Sequence, residues 1–411
     1  MSERRTCVIA GGGPAGMVLG LLLARAGVDV TVLEKHGDFL RDFRGDTVHP
    51  STIALLDELG LGEQFAALPQ SKLTEVAVRS EDGTLLQVAD FTRLRVPHPY
   101  VAMVPQWDLL DLLAEAGRAE PHFELRMNTE VTGLMWDRNR VTGVRYRTAD
   151  GSTGAIQAGL TVACDGRWSV VRQQAGLRPH EFPVSMDTWW FRLPREGDER
   201  QTLVPGMRHG HFAIVIPREG YFQIAYLARK GLDPQLRAEG LDAFRDRIAQ
   251  VLPEFADRVG KIESMDDVKQ LDVRLNLLRR WHVAGALCIG DAAHAMSPVG
   301  GVGINLAVQD AVATARLLAG PLRRGRVTKR ELARVHRRRR LPTVLVQAIQ
   351  RAMHRGLVRP LIEGRRGGPP KWFAHVVNAI PGTGFFPAYL IGVGLRPEHA
   401  PDFARRSAPG S

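Results

Sequence analysis

The residues with the clearest chemical potential lie between positions 290 and 305, in the stretch GDAAHAMSPVGGVGIN. Its three closely spaced glycines allow the backbone to approach a flat ligand closely. An apolar helical pattern begins near Asn305, so the free amides of its first turn point back into the loop and attract negative charge or an electron-rich ring edge. A plain strand, turn and helix would rarely combine three glycines, a proline and the acid Asp291. The sequence therefore predicts a strand at 286–289, a loop of small residues and a helix that together bind a flat ring.

A second glycine-rich stretch, GGGPAG at residues 11–16, lies near the N-terminus. It has the context of a dinucleotide-binding fingerprint, with an apolar strand before it and an apolar helix after it. In such a fingerprint, Gly11 makes the tight turn, Gly13 lets the backbone reach a pyrophosphate, and Gly16 allows close packing of the helix. The predicted elements are a strand at 6–10, a helix at 17–26 and a strand at 28–33.

The acid Glu34 ends the second of these strands, where a carboxylate accepts hydrogen bonds from a ribose hydroxyl. A carboxylate there disfavours a 2′-phosphate, so NAD or FAD fits this site and NADP does not. FAD fits better, because the loop at 290–305 lies far downstream and a long cofactor with two different ends can contact both loops. The two glycine-rich stretches together therefore predict FAD.

A third motif, CDGRWSVVR at 164–172, follows an apolar strand at 160–163. The three motifs, in this order, resemble the flavoprotein aromatic hydroxylases typified by para-hydroxybenzoate hydroxylase, the group A flavoprotein monooxygenases. The resemblance covers about residues 4 to 345, and Arg44 and Gln106 agree with it at two lesser positions. This combination is specific for the family and says little about the substrate.

The resemblance implies an FAD monooxygenase that uses NADPH or NADH and molecular oxygen as co-substrates. It would hydroxylate an aromatic or hydrophobic small molecule through a flavin C4a-hydroperoxide. The catalytic candidates are Pro298 and Gly301, beside the reacting edge of the flavin, and His294, for which an acid–base role and a structural role in capping the loop both stay open. The expected cofactor-binding residues are Gly11, Gly13, Pro14, Ala15, Gly16, Glu34, Lys35, Arg44, Gln106, Val131, Asp165, Asp291, Gly303, Ile304 and Asn305.

Substrate contacts are expected on the segments that face the flavin ring, at His49, Trp190, Arg192, Gln223 and Tyr226. A tryptophan or tyrosine on a sheet is more often a core residue than a ligand contact, and that alternative stays open. Two other functions also stay open: a related flavin oxidoreductase of the reductase or halogenase type without oxygen insertion, and a non-catalytic FAD-binding partner protein. Intact glycine motifs at both cofactor ends argue against the non-catalytic protein.

The motif positions predict an α/β fold with a discontinuous, Rossmann-like FAD-binding domain, an inserted substrate domain with a mixed β-sheet, and a helical C-terminal tail. Period-two alternation of large side chains predicts half-buried strands in the insertion, and an amphipathic helix follows them. The predicted FAD-binding segments are 1–75, 101–178 and 268–345, the substrate segments are 76–100 and 179–267, and the tail is 346–411. The inserted strands are predicted at 186–193, 211–217 and 221–228, and the helix at 241–251.

The composition is compatible with this assignment, because 411 residues that are 44% hydrophobic can bury a large core. The net charge is +11, and basic residues cluster at 323–340 on an expected surface helix that Pro342 interrupts. A solvated face is the favoured explanation, attraction of a phosphorylated cofactor or an anionic surface stays open, and nucleic acid is the least favoured. Three cysteines near apolar strands indicate reduced core residues, so no disulfide and no metal site is expected in a cytoplasmic protein. We also expect no N-terminal signal, no transmembrane segment, and a monomer or homodimer.

Overall fold

The computed structural model describes residues 3–40, 47–79, 85–196, 204–208, 211–218, 220–365 and 384–406. The strands are β1 (Glu3–Ala10), β2 (Val30–Leu33), β3 (Thr47–Val48), β4 (Ser71–Leu73), β5 (Glu75–Arg79), β6 (Leu85–Asp90), β7 (Val101–Met103), β8 (Phe123–Arg126), β9 (Thr129–Asp137), β10 (Arg140–Thr148), β11 (Thr153–Ala163), β12 (Pro179–Phe182), β13 (Met186–Pro194), β14 (Val204–Arg208), β15 (His211–Pro217), β16 (Tyr221–Arg229), β17 (Lys269–Leu271), β18 (Leu275–Leu278), β19 (His282–Val283) and β20 (Ala286–Cys288). The helices are α1 (Pro14–Arg25), α2 (Pro50–Glu58), α3 (Gly62–Ala66), α4 (Gln106–Arg118), α5 (Val170–Gln174), α6 (Asp233–Val251), α7 (Gly303–Arg323), α8 (Lys329–Met353), α9 (Arg359–Ile362) and α10 (Phe385–Gly392).

The main sheet has the strand order β19-β20-β11-β1-β2-β8, and β10 and β9 extend it from β11. Strands β20, β11, β1, β2 and β8 run parallel to one another, as expected for an α/β fold. Residues 7–10 of β1 are fully buried, and α1, which follows β1 directly, is buried along most of its length. The carboxyl ends of β1 and β11 therefore bring the motifs at 11–16 and 164–172 together.

The inserted region forms a five-stranded sheet of order β14-β15-β16-β13-β17. Every neighbouring pair of its strands is antiparallel, so the prediction of a mixed sheet is wrong. One face packs on α6, where Phe191 and Phe244 make an edge-to-face contact 5.5 Å between ring centroids. Helix α6 begins eight residues before the predicted start at 241, although Gly240 interrupts its helical backbone. The other face of the sheet lines a cavity.

Helix α8 continues through Pro342, so the predicted interruption is wrong. A proline removes one backbone donor and crowds the preceding turn, but buried contacts of α8 on both sides of Pro342 hold this helix together. The prediction of a surface helix is also wrong at Arg339, which is 1% exposed. A π-helical turn at His354–Val358 then leads from α8 into α9.

The segments after α8 return to the body of the protein. The amide of Asp90 in β6 donates to the carbonyl of Gly384, at the start of α10. Arg25 of α1 donates to the carbonyl of Ala404, close to the end of the described chain. Within the described part of the chain, no helix combines the length and apolar character needed to cross a membrane.

Candidate active site

A cavity of about 2250 Å³ lies between the main sheet, the five-stranded sheet and the C-terminal helices. All three sequence motifs line it. The predicted site residues that line it are Gly11, Gly13, Pro14, Ala15, Glu34, Lys35, His49, Gln106, Val131, Asp165, Trp190, Asp291, Pro298, Gly301, Gly303 and Ile304. Arg44 lies outside the described residues.

The fingerprint loop, residues 11–16, joins β1 to α1 in a conformation that requires glycine at two positions. Gly11 has φ +100°, and a Cβ there would overlap the carbonyl oxygen of Cys164. A Cβ at Gly16 would overlap the carbonyl oxygen of Gly11, so Gly16 permits the helix to start close against the turn and does not itself line the cavity. Gly13 is different, since no described heavy atom beyond its neighbours lies within 4 Å of a Cβ built there. The fingerprint loop is thus closely packed on the protein side and open on the cavity side.

Glu34 connects the fingerprint loop to the end of β2 by hydrogen bonds. Its carboxylate accepts hydrogen bonds from the amides of Gly12, at 2.8 Å, and His36, at 3.0 Å. The residue is 2% exposed, yet it lies at the cavity wall beside Lys35. Glu34 therefore has a structural role in addition to the ribose contact predicted for it.

The motif at 164–172 connects the fingerprint loop to the stretch that begins at Gly290. Asp165 accepts a hydrogen bond from the amide of Val171, at the start of α5. Arg172 donates to the carbonyls of Arg167 and Ala292. Arg167 forms an ion pair with Asp291, with Nε 3.3 Å from the carboxylate. These contacts hold Asp291 at the edge of the cavity.

A second loop, residues 297–303, is called the glycine loop here. Gly300 and Gly301 have φ values of +84° and +65°, a backbone region that favours glycine. The Thr47 hydroxyl donates to the Gly301 carbonyl at 3.0 Å. Helix α7 begins at Gly303, two residues earlier than predicted, and its first amides lie at the cavity. Asn305, predicted to contact the cofactor, accepts hydrogen bonds from two hydroxyls of α2 and does not line the cavity.

His49 lies at the N-terminus of α2 and is 1% exposed. Burial lowers the pKa of His49 to about 4, although the Gly300 carbonyl partly offsets this effect. The imidazole is therefore neutral near pH 7. A neutral histidine beside the glycine loop can position that loop but carries no charge into the cavity.

His294 lies behind the glycine loop, in a buried network of charges, and does not line the cavity. Its Nε2 is 2.6 Å from Asp310, which also accepts from Arg339, at 3.0 Å, and from the amide of Gly290, at 3.1 Å. Burial alone would raise the pKa of Asp310, but His294 and Arg339 hold it below its usual value. This position corrects the catalytic assignment of His294 and agrees with the structural alternative.

Three predicted substrate residues, Tyr226, Arg192 and Gln223, lie away from the cavity. The strand register explains the position of Tyr226. Tyr226 pairs with Trp189, and both side chains face α6 in the core of the five-stranded sheet. Arg192 is exposed, with its guanidinium over the ring of Tyr221. Gln223 accepts hydrogen bonds from Arg218, which itself reaches the cavity. The predictions for these residues are corrected, whereas Trp190 lines the cavity as expected.

The largest part of the site that the sequence analysis missed is the C-terminal half of α8 and the elements after it. Leu345, Ile349 and Met353, four residues apart on one face of α8, line the apolar end of the cavity. Phe386 and Tyr389 of α10 line it as well. The four-residue spacing indicates an apolar helical face, but only the tertiary fold shows what that face contacts.

The arrangement fits an FAD molecule on three observations. Helix α1 begins directly after Gly13, where a Cβ would meet no described heavy atom within 4 Å, so the loop leaves space for a pyrophosphate at the N-terminus of the helix. Asp165 Oδ1 is buried and has no hydrogen-bond partner among the described residues. The glycine loop and the start of α7 present bare backbone to a flat ring at a different part of the same cavity.

Comparisons with known proteins agree with this fit. A family described as "FAD binding domain" matches residues 4–349. The chain is 34% identical over 358 residues to 6-methylpretetramide 4-monooxygenase of Streptomyces rimosus, covering 84% of this chain and 82% of that protein. It is 27% identical over 329 residues to para-nitrophenol 4-monooxygenase of Pseudomonas sp. (strain WBC-3), covering 78% and 79%. The solved structure of anhydrotetracycline hydroxylase from Streptomyces rimosus matches with a TM-score of 0.77 at 25% identity, covering 99% of this chain and 80% of that one.

The chain therefore belongs to the FAD-binding-domain family. It is an FAD-dependent monooxygenase, an enzyme class that uses NAD(P)H and molecular oxygen to hydroxylate aromatic compounds, and the prediction of this activity is confirmed. These relatives do not favour the alternative of a flavin oxidoreductase without oxygen insertion.

Proposed function

We propose that this enzyme hydroxylates an extended, largely apolar aromatic compound held between the five-stranded sheet and helices α8 and α10. The observation that carries the proposal is the contrast between the two ends of the cavity. Glu34, Asp165 and Asp291 line the cavity beside the ends of the main sheet, whereas the side chains that line it from α8 and α10 are almost all apolar. Such a site suits a charged dinucleotide cofactor at one end and an aromatic substrate at the other.

We infer that the main sheet belongs to a discontinuous, Rossmann-like FAD-binding domain formed by residues 1–75, 101–178 and 268–345. The parallel order β11-β1-β2, with the fingerprint loop after β1, supports this inference. The separate core between the five-stranded sheet and α6 supports an inserted substrate domain at 76–100 and 179–267. In this arrangement the tail at 346–411 contributes a wall of the substrate site.

In the proposed complex, Glu34 and Lys35 lie at the ribose, and Gly13, Pro14 and Ala15 lie at the pyrophosphate. Asp291 accepts hydrogen bonds from cofactor hydroxyls, and the amides at the start of α7 stabilise negative charge on the reduced ring. Once reduced, the bound flavin supplies the activation of molecular oxygen for hydroxyl transfer. The residues of the chain hold the ring, orient the substrate and exclude water. Further proposed contacts are Gln106, Val131, Asp165, Pro298 and Gly301.

The apolar end of the cavity favours a substrate with several fused rings over one with a single ring. Trp190, Ile214 and Leu227 line it from the sheet, and the face of α8 from Leu345 to Met353 lines it from the helices. This face extends over more than two helical turns, a length that a single ring would leave mostly uncovered. The relatives are named for 6-methylpretetramide, anhydrotetracycline and para-nitrophenol, and we propose that the substrate resembles the first two in extent.

We further propose that NAD(P)H binds transiently over the surface, since the recognised dinucleotide fingerprint is assigned to FAD. The enzyme is proposed to act as a monomer or homodimer in a reducing cytoplasm. The free thiols of Cys7, Cys164 and Cys288 are compatible with that compartment.

The test is oxidation of NADPH and of NADH by the purified flavoprotein, with and without anhydrotetracycline or para-nitrophenol, while hydrogen peroxide is measured alongside. We expect stimulation by the larger compound and a product heavier by one oxygen atom. If no aromatic compound in a broad panel stimulates oxidation and peroxide accounts for all electrons, the hydroxylase assignment is wrong for this chain.

A further inference from the structure

Helix α8 has two chemically different faces, and each contacts a different part of the site. We define its apolar face as Leu345, Ile349 and Met353, which line the substrate end of the cavity and are 41%, 38% and 37% exposed. We define its loop-holding face as four buried polar residues, which are Arg339, Gln347, Gln350 and His354. His354 directly follows the last residue of α8 and begins the π-helical turn.

Gln350 makes the most direct contact with the glycine loop. Its side-chain amide donates to the carbonyls of Ser297, at 2.9 Å, and Val299, at 2.8 Å. Its side-chain oxygen accepts from the amide of Ser297 at 3.2 Å. These three bonds bind the backbone on both sides of Pro298, and the side chain is 2% exposed. A small shift of α8 must therefore either move the glycine loop or break buried hydrogen bonds.

The neighbouring polar residues extend this attachment. His354 Nε2 and Ser297 Oγ share a hydrogen bond at 2.8 Å, and burial lowers the pKa of His354. Gln347 donates to the carbonyls of Asn276 and Ala295. Arg339 contacts Asp310, which accepts from the amide of Gly290. The same helix thus holds the chain on both sides of Asp291.

We propose that α8 couples substrate occupancy to the position of the glycine loop, with Gln350 and His354 as positioning residues. A substrate against the apolar face packs on side chains one residue away from Gln350 and from His354. A displacement of the helix by the substrate is transmitted to the glycine loop through these buried hydrogen bonds, because breaking them is energetically unfavourable. This inference rests on the proposed function, in which the apolar face contacts substrate and the glycine loop contacts the flavin.

The experiment is hydrogen exchange, followed by mass spectrometry, of peptides that cover residues 295–303 in the FAD-loaded enzyme. The probe is whichever of anhydrotetracycline and para-nitrophenol the wild type hydroxylates. We expect the probe to slow exchange in the wild type. In Gln350→Met, exchange should be faster without the probe and should no longer respond to it, although flavin absorbance shows that the probe binds. His354→Gln, which retains a donor toward Ser297, should respond more strongly than His354→Phe.

The matched control is Arg355→Gln, an exposed substitution one residue beyond His354, which should behave as the wild type. A second readout is the ratio of flavin reduction rates by NADPH with and without the probe, which should fall by about fivefold or more in Gln350→Met. An unchanged response of the loop peptides in a folded, probe-binding Gln350→Met would overturn the coupling and leave the hydroxylase assignment intact. If the wild type hydroxylates neither compound, the probe is any member of the aromatic panel that it does hydroxylate; hydroxylation of no member would overturn the proposed function and this inference with it.

Discussion

The two glycine-rich loops of the cavity wall are held in place in opposite ways. In the fingerprint loop, Gly11 and Gly16 are required because a Cβ at either position would overlap a backbone carbonyl. In the glycine loop, a Cβ at Gly300 or Gly303 would meet its nearest atom at 3.8 or 3.9 Å, an ordinary contact, whereas a Cβ at Gly301 would lie 2.8 Å from the Thr47 hydroxyl. The fingerprint loop is closely packed against backbone atoms at both required glycines, and the glycine loop leaves room at two of its three glycines.

Side chains from distant parts of the chain hold the glycine loop instead. Thr47 bonds to its backbone from one side, and Gln350 and His354 hold it from the other. From this comparison we expect the fingerprint loop to stay fixed, whereas the glycine loop would change position when its supports move. Rigid binding of the dinucleotide and adjustable placement of the ring are different requirements, and under the proposed function each loop would meet one of them.

The largest effect is expected from Gly16→Val. The new side chain overlaps the Gly11 carbonyl in a fully packed turn, so we expect a loss of more than about 4 kcal/mol of unfolding free energy or no folded protein. Urea denaturation of the apoprotein is the measurement. The matched variant is Gly13→Val, whose side chain points into open space, so the apoprotein should keep its stability within about 1 kcal/mol and lose FAD. Retention of FAD by Gly13→Val would contradict the placement of the pyrophosphate.

Arg339→Met tests the buried network behind the glycine loop. The Arg339 guanidinium lies 3.0 Å from Asp310 and 3.8 Å from Glu398, and both carboxylates stay buried in the variant. Removal of one partner from a buried ion pair lowers the free energy of unfolding by about 3–5 kcal/mol. Chemical denaturation measures the loss, and Arg337→Met, on the exposed side of the same helix, is the control. A loss no larger than that of the control would show that the network contributes nothing to the support of Gly290 and Asp291.

The different origins of the two loops explain what the sequence could predict. The turn, the helix and Glu34 of the fingerprint loop lie within about thirty residues of one another and are visible in the sequence, although the carbonyl that excludes a Cβ at Gly11 belongs to the distant Cys164. The supports of the glycine loop come from β3, from α8 and from the turn after α8, and sequence spacing gives no sign that Gln350 faces Ser297. Arg339 resembles the exposed arginines around it, and only the fold places it against Asp310. Tyr226 was assigned to the wrong face, because its side depends on the register between β13 and β16.

Asp291→Ala tests the proposed contact between the stretch after β20 and the cofactor. Loss of a charge-assisted hydrogen bond to a cofactor hydroxyl should weaken FAD binding by roughly 1.5–3 kcal/mol. Titration of the apoprotein with FAD, followed by flavin fluorescence, gives the affinity. Asp291→Asn retains an acceptor oxygen and should lose less. An unchanged affinity in both variants would mean that Asp291 serves only to position Arg167.

The smallest effect is expected from Gly300→Ala. Its φ of +84° makes any side chain unfavourable by about 1–2 kcal/mol, but the new methyl group has space, with Val302 Cγ1 at 3.8 Å. We expect a small decrease in unfolding free energy and unchanged FAD content. Gly303→Ala, whose φ lies outside that strained region, should be nearly neutral in the same assay. If Gly300→Ala unfolds the protein as Gly16→Val is expected to, the glycine loop is as tightly packed as the fingerprint loop. A loop packed that tightly could not change position when α8 moves.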